Sequence, residues 1–200
     1  MPKPRQYGGF AMRIIFLGPP GVGKGTQSQK LVDTLDIPHI STGEMLREAI
    51  RAKTELGLKV ASQMEGGRLA ADEIVVQLVR QRLAQSDCRN GYLLDGFPRT
   101  LPQAASLDLA LAVDDEAIDA VLNLTVDQEE LFRRLMERAK KEDRGDDNED
   151  TIRQRMTVYH DMTSPLIAYY EEQGVLHRID GIGTVEEVFD RICHVLNKVE

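Results

Sequence analysis

The sequence predicts an α/β fold, a parallel sheet with helices on both faces. Two observations lead there. Short apolar runs alternate with stretches whose apolar residues recur at helical spacing. A run rich in glycine, Gly18-Pro-Pro-Gly-Val-Gly-Lys-Gly-Thr26, joins the first apolar run directly to the first helical stretch.

The strands expected are Ile14–Leu17, Tyr92–Asp95, Ala120–Leu124 and Val175–Ile179, with a further short one at Pro38–Ile40. None alternates strictly between apolar and polar residues, which fits strands buried on both faces. Helical spacing appears at Leu31, Val32 and Leu35, and again at Ile74, Val75, Leu78, Val79 and Leu83. It returns at Leu131, Phe132, Leu135 and Met136, and at Val185, Val188, Phe189 and Ile192. Residues 42–84 hold several helical stretches without a convincing strand and read as a helical insertion. Residues 138–150, RAKKEDRGDDNED, carry almost nothing apolar and read as a solvated, mobile loop. The polar segment 1–11 lacks the apolar core of a signal peptide and reads as a disordered extension, leaving a single domain over 12–200.

Two hundred residues, 42% of them hydrophobic, are enough to bury a proper core. No apolar run approaches the roughly 18 residues of a membrane span. Only two cysteines are present, Cys88 and Cys193, which excludes a cysteine-rich zinc site and suits a reducing, cytoplasmic compartment. A formal charge of −8 argues against a general nucleic-acid binder. It does not exclude a small anionic ligand, because local arginines set the field of a cleft.

The glycine run fits G-x-x-x-x-G-K, a phosphate-binding loop. Glycines let successive N–H groups turn inward around an anion, and the following helix points its positive end at the same place. Lys24 adds a full charge. The candidate binding segment is Gly21, Val22, Gly23, Lys24, Gly25 and Thr26. The hydroxyl comes one place later than usual for such loops, at Thr26. Mg²⁺ is therefore expected to be held through phosphates and water rather than by the loop itself. In Leu93-Leu-Asp-Gly-Phe-Pro-Arg-Thr100, Asp95 ends an apolar strand, where an acid reaches the metal's waters from across the loop. Arg99 follows a tight corner, and its planar fork suits a phosphate. The bland readings are a ligand-free turn for each motif and a solvated helix face for any one arginine.

Taken together, FLGPPGVGKGTQ, ISTGEMLR, GYLLDGFPRTLPQA and DDNEDTIRQRM resemble the adenylate kinases, short-lid members of the nucleoside monophosphate kinases, from about Met12 to the C-terminus. The resemblance implies a phosphate-loop core, an AMP-binding flap at about 41–70 and a short lid at about 138–148. It implies reversible phosphoryl transfer from Mg-ATP to AMP, giving two ADP. Thr42 and Arg47 match AMP contacts, as do Gly67, Arg68 and Leu69 along the flap, where the family often carries Val in place of Ala70. Gly96, Phe97, Pro98, Arg99 and Gln103 match contacts to the AMP base and phosphate. Arg134 matches the arginine that stacks on the ATP base, and Gly183 a backbone contact to the ATP adenine. Arg138, Arg144 and Arg155 match phosphate-binding arginines and, with Lys24 and Arg99, are the expected catalytic set. Arg153 falls on a different helix face from Arg155. Five residues separate Arg138 from Arg144, so the lid has no room for a zinc ribbon. The four histidines show no metal spacing and read as surface or satisfied side chains.

The expected partners are ATP, AMP and ADP, with Mg²⁺ as cofactor, no zinc, no nucleic acid and no membrane, and the expected state is a monomer. Two rivals stand beside this reading. A pyrimidine (UMP/CMP) monophosphate kinase tends to carry Ala where Thr42 stands and Asn where Thr100 stands. A non-catalytic nucleotide switch would need a segment that senses the γ-phosphate and a partner surface.

Overall fold

The computed structural model describes residues 12–65, 67–141 and 149–199. The described residues open on strand β1 (Met12–Leu17), followed by helix α1 (Lys24–Leu35) and the short β2 (His39–Ser41). Helices α2 (Thr42–Arg51), α3 (Glu55–Glu65) and α4 (Asp72–Leu83) come next, and a short 3₁₀ turn, Ser86–Asn90, leads into β3 (Gly91–Asp95). Then come α5 (Leu101–Ala112), β4 (Ala120–Thr125), α6 (Gln128–Lys141) and α7 (Glu149–Val158). A wide π turn, Tyr159–Thr163, runs into α8 (Pro165–Glu172), β5 (Leu176–Asp180) and α9 (Val185–Leu196).

The five strands form one parallel sheet in the order β2-β3-β1-β4-β5. All five coincide with expected strands, with ends shifted by one or two residues. The alternation of side chains explains why β1 is apolar throughout. Ile14 and Phe16 enter one core with Leu93, Leu122 and Leu124, covered by α1, α6 and α9 through Leu31, Leu131, Leu135 and Ile192. Ile15 and Leu17 enter the other with Leu94 and Val121, covered by α4, α5 and α8 through Val79, Leu107 and Tyr170. A strand buried on both faces has no polar side to show. Residues 42–65 and 67–84 hold three helices and, as described, no strand.

Three helices, α5, α7 and α8, lie outside the apolar periodicities of the sequence, and α6 and α7 run into the 138–150 stretch expected as a loop, to Lys141 and from Glu149. Helix α5 buries Ala104, Leu107 and Leu111 yet leaves Leu109 72% exposed, so little contrast separates its faces. Its start is defined by capping instead: the Thr100 hydroxyl accepts the Gln103 N–H. Helix α8 is only two turns long and follows directly from the π turn.

The chain passes from β1 to β2 and β3 on one side, then crosses to β4 and β5 on the other. That reversal falls beside β1. In open parallel sheets ligands bind there, at the carboxyl ends of the strands.

Candidate active site

The glycine run leaves the carboxyl end of β1. Gly21 has φ +83°, and a Cβ on it would lie 2.6 Å from Cδ2 of Leu135, so α6 packs against the loop where only glycine fits. The N-cap of α1 is Gly23, which has no side chain with which to cap. No acid occupies the first turn of α1 either. Helix N-termini ordinarily attract both, because their free N–H groups and dipole are positive. Here that positive end is left to a ligand. Lys24, the first residue of α1, folds back and donates from Nζ to the carbonyls of Gly18 at 2.7 Å and Pro19 at 3.2 Å.

Across the cleft, β3 ends at Asp95 and the corner Gly96-Phe97-Pro98-Arg99 follows, with a cis bond before Pro98. Three contacts hold this corner. The Thr42 hydroxyl donates to the Gly96 carbonyl at 2.8 Å, and Nε of Arg99 donates to the same oxygen at 2.9 Å. The Thr163 hydroxyl donates to the Arg99 carbonyl at 2.9 Å. The protein mass around the Arg99 guanidinium pushes its pKa below the usual range; Asp95 opposes this, and Arg155 and Arg47 add like-charge repulsion. The side chain still shows an exposed surface, so an anion has access to it. Three guanidinium groups near one point, with one carboxylate among them, make a site that an anion relieves.

Burial works against ionising Asp95, but His39, Lys24 and Arg99 outweigh it and hold the carboxyl below its ordinary value. His39 Nε2 stands 3.6 Å from the Asp95 carboxylate, too far for a hydrogen bond, and has no hydrogen-bond partner among the described residues. His39 is therefore neither a surface nor a satisfied histidine, as the sequence suggested; it is half-buried on β2 because β2 pairs beside β3 and brings it against Asp95.

Two networks complete the walls. Arg134 on α6 donates to Glu130 at 2.6 Å and to the carbonyls of Val22 and Gly181 at 2.9 Å each, which staples α6 to the glycine loop and to the turn before α9. Gln103 is 1% exposed. Its Oε1 accepts the Arg99 N–H at 2.8 Å, and its Nε2 donates to Asp72 at 2.7 Å. Asp72 also accepts the Thr100 hydroxyl at 2.9 Å.

One cleft of about 840 Å³ joins these parts. It is lined by Gly21, Val22, Gly23, Lys24, Gly25 and Thr26 on one side, and by Thr42, Arg47, Gly96, Pro98, Arg99 and Gln103 on the other. Gly67, Arg68, Leu69, Asp95, Arg134, Arg155 and Gly183 line it as well. Arg155 reaches the cleft, whereas its neighbour Arg153 is exposed and is not among the lining residues, as their helical spacing predicts. The Phe97 ring is 1% exposed in the core with Leu94 and Tyr92 and does not line the cleft, because an apolar ring beside a strand end gains more from burial. Arg144 and most of the 138–148 segment lie outside the described residues, and so does the side chain of Arg138. Asp72, Thr163 and Tyr159 were not singled out in the sequence; the last two line the cleft. Among the described residues, no group of three or more His, Cys, Asp or Glu is placed to hold a metal, and no helix is long and apolar enough to cross a membrane.

A parallel sheet whose glycine loop and uncapped helix face a second cationic pocket across one cleft defines a phosphate-loop nucleotide kinase. The family model described as adenylate kinase matches residues 16–175. The chain is 51% identical over 185 residues to an adenylate kinase of Thermobifida fusca (strain YX), covering 92% of this chain and 98% of that protein. It is 47% identical over 187 residues to an adenylate kinase of Xanthomonas campestris pv. campestris (strain 8004), covering 94% of this chain and all of the relative. The chain belongs to the adenylate kinase family.

Proposed function

We propose that the protein transfers a phosphoryl group reversibly from Mg-ATP to AMP, giving two ADP. The observation that carries this is the pairing, within one cleft, of the uncapped loop helix with Lys24 and the Arg99, Arg47 and Arg155 group. Two anion sites facing one space suit a donor triphosphate and an acceptor monophosphate. The AMP phosphate is already ionised and nucleophilic, so no general base is needed. Lys24 and the arginines stabilise charge on the group in transit, and Arg138 and Arg144 are assigned to the ATP phosphates. Thr42, Arg47, Gly67, Arg68, Leu69, Gly96, Arg99 and Gln103 hold AMP, while Arg134 and Gly183 hold the ATP base. The 41–70 flap closes over AMP before transfer and keeps water from the triphosphate.

Mg²⁺ arrives with ATP. The ionised Asp95 and the Thr26 hydroxyl, both lining the cleft, fit a metal held through its waters and the phosphates. The bound ion neutralises phosphate charge. Every group named belongs to one chain, so a monomer suffices, and a cytoplasmic location accompanies this reading.

Turnover tests it directly. ADP should form rapidly from Mg-ATP with AMP and negligibly from Mg-ATP alone. Equal efficiency with CMP or UMP would mean a pyrimidine kinase, and tight ATP binding without transfer to any acceptor would mean a switch.

A further inference from the structure

We propose that Asp72, which lies behind the cleft, positions the Gln103 amide in one of its two orientations and thereby makes the acceptor site selective for the adenine edge. The inference rests on the AMP reading and adds to it a residue that touches no nucleotide.

The two amide orientations of a glutamine differ only in which end donates. What fixes one of them is the chemistry of its neighbours. Gln103 has two such neighbours, and neither is ambiguous. The Arg99 backbone N–H can only donate, and it meets Oε1 at 2.8 Å. The Asp72 carboxylate oxygen accepts, and it meets Nε2 at 2.7 Å. Turning the amide over would set an oxygen against a carboxylate and an NH₂ against an N–H. Two bonds would be lost and two repulsions created, on a side chain 1% exposed. Asp72 is itself held. It is the first residue of α4, where the helix end favours an acid, and its other oxygen accepts the Thr100 hydroxyl at 2.9 Å.

Each amide atom keeps one unused capacity, a second hydrogen on Nε2 and a second lone pair on Oε1. In the fixed orientation this offers one donor and one acceptor to the cleft. Adenine needs that pair, because its N1 accepts and its N6 donates. Hypoxanthine reverses both atoms, N1–H donating and O6 accepting, and differs from adenine nowhere else on that edge. IMP would therefore require the amide orientation that Asp72 and Arg99 forbid. Discrimination then comes from an unpaired edge on the wrong base rather than from pocket size.

Asn is nearly isosteric with Asp but can offer an oxygen or an NH₂. Asp72→Asn therefore releases the carboxylate half of the lock without opening a cavity, leaving only the Arg99 N–H to favour one orientation. The experiment is kcat/KM for AMP and for IMP, with saturating Mg-ATP, in the wild type, Asp72→Asn and Thr100→Val. The wild type should prefer AMP on the order of 10⁴-fold, the range of sites that select by buried hydrogen bonds. In Asp72→Asn the ratio should narrow about tenfold or more, with KM for AMP rising and kcat less affected. Thr100→Val removes the Asp72–Thr100 bond and the α5 cap but leaves the Asp72–Gln103 bond. It should lower the melting temperature and keep the AMP-to-IMP ratio. An unchanged ratio in Asp72→Asn, or an equal narrowing in Thr100→Val, overturns the lock. A wild type indifferent to AMP and IMP would instead overturn Gln103 as the base reader, so the two failures are distinguishable. If Asp72→Asn does not fold, Asp72→Ser, which also cannot enforce one amide orientation, takes its place with the same expectation.

Discussion

The Thr163 hydroxyl donates to the Arg99 carbonyl at 2.9 Å, joining positions 64 residues apart. Thr163 sits in the π turn after α7 and is 8% exposed, so this bond ties the segment carrying Arg155 to the corner carrying Arg99. Thr163→Val keeps the shape and removes the donor. A carbonyl that loses its side-chain partner in a sheltered place costs about 1–3 kcal/mol. We expect the urea midpoint to fall accordingly with the slope unchanged, and KM for AMP to rise severalfold. An unchanged midpoint would mean that water replaces the hydroxyl without loss.

Asp95 gives the acid side of the stability profile. Its folded pKa lies below the ordinary carboxylate value, despite burial, because His39, Lys24 and Arg99 favour the charge. Its stabilisation is therefore present in full above the unfolded value of about 3.9, and it is lost as pH falls from there through the folded pKa. Asp95→Asn removes that contribution. Unfolding free energy measured against pH should decline less steeply below about pH 4 in the variant than in the wild type. Parallel curves would show that these three neighbours do not stabilise the carboxylate.

Lys24 carries the full charge of the glycine loop and lines the cleft, and its bonds to the Gly18 and Pro19 carbonyls are part-buried. Lys24→Met should lose roughly 10³-fold in kcat, as removal of a group aimed at transition-state charge does. The melting temperature should move less than turnover, because water from the cleft takes the place of the ammonium at these carbonyls. Turnover within about tenfold of the wild type would remove Lys24 from the reaction.

Legibility followed how local the cause was. The glycine loop was readable because strand, turn and helix are contiguous and the lysine's register is fixed. Arg155 was separated from Arg153 by helical geometry alone, and of the two Arg155 lines the cleft. Asp72 was invisible because an acid at the first position of a helix is commonplace, and its partners Thr100 and Gln103 lie about 30 residues on. Thr163 and His39 act on residues 64 and 56 positions away, through a turn and a sheet pairing that no sequence window spans. Phe97 was named with its motif neighbours, and its own apolar ring lies in the core.

Two glycines of the same loop should respond oppositely to alanine. Gly21 has φ +83° and leaves no room, since its Cβ would lie 2.6 Å from the Leu135 side chain. Gly25 lies in the first turn of α1, and a Cβ there would meet nothing within 4 Å. The fold therefore gives no reason for glycine at 25, and glycine in a helix costs up to about 1 kcal/mol relative to alanine. A residue kept small without a packing reason, at the positive end of a helix and on the wall of the cleft, is kept small for what binds there. Gly21→Ala should destabilise by about 1–3 kcal/mol through backbone strain and displacement of Leu135. Gly25→Ala should raise the melting temperature slightly and raise KM for ATP at least severalfold, leaving KM for AMP unchanged. Paired melting curves and substrate titrations decide it. A Gly25→Ala enzyme with normal KM for ATP would show that the nucleotide does not approach this backbone, and the donor phosphates would have to lie nearer Gly21 and Gly23 alone.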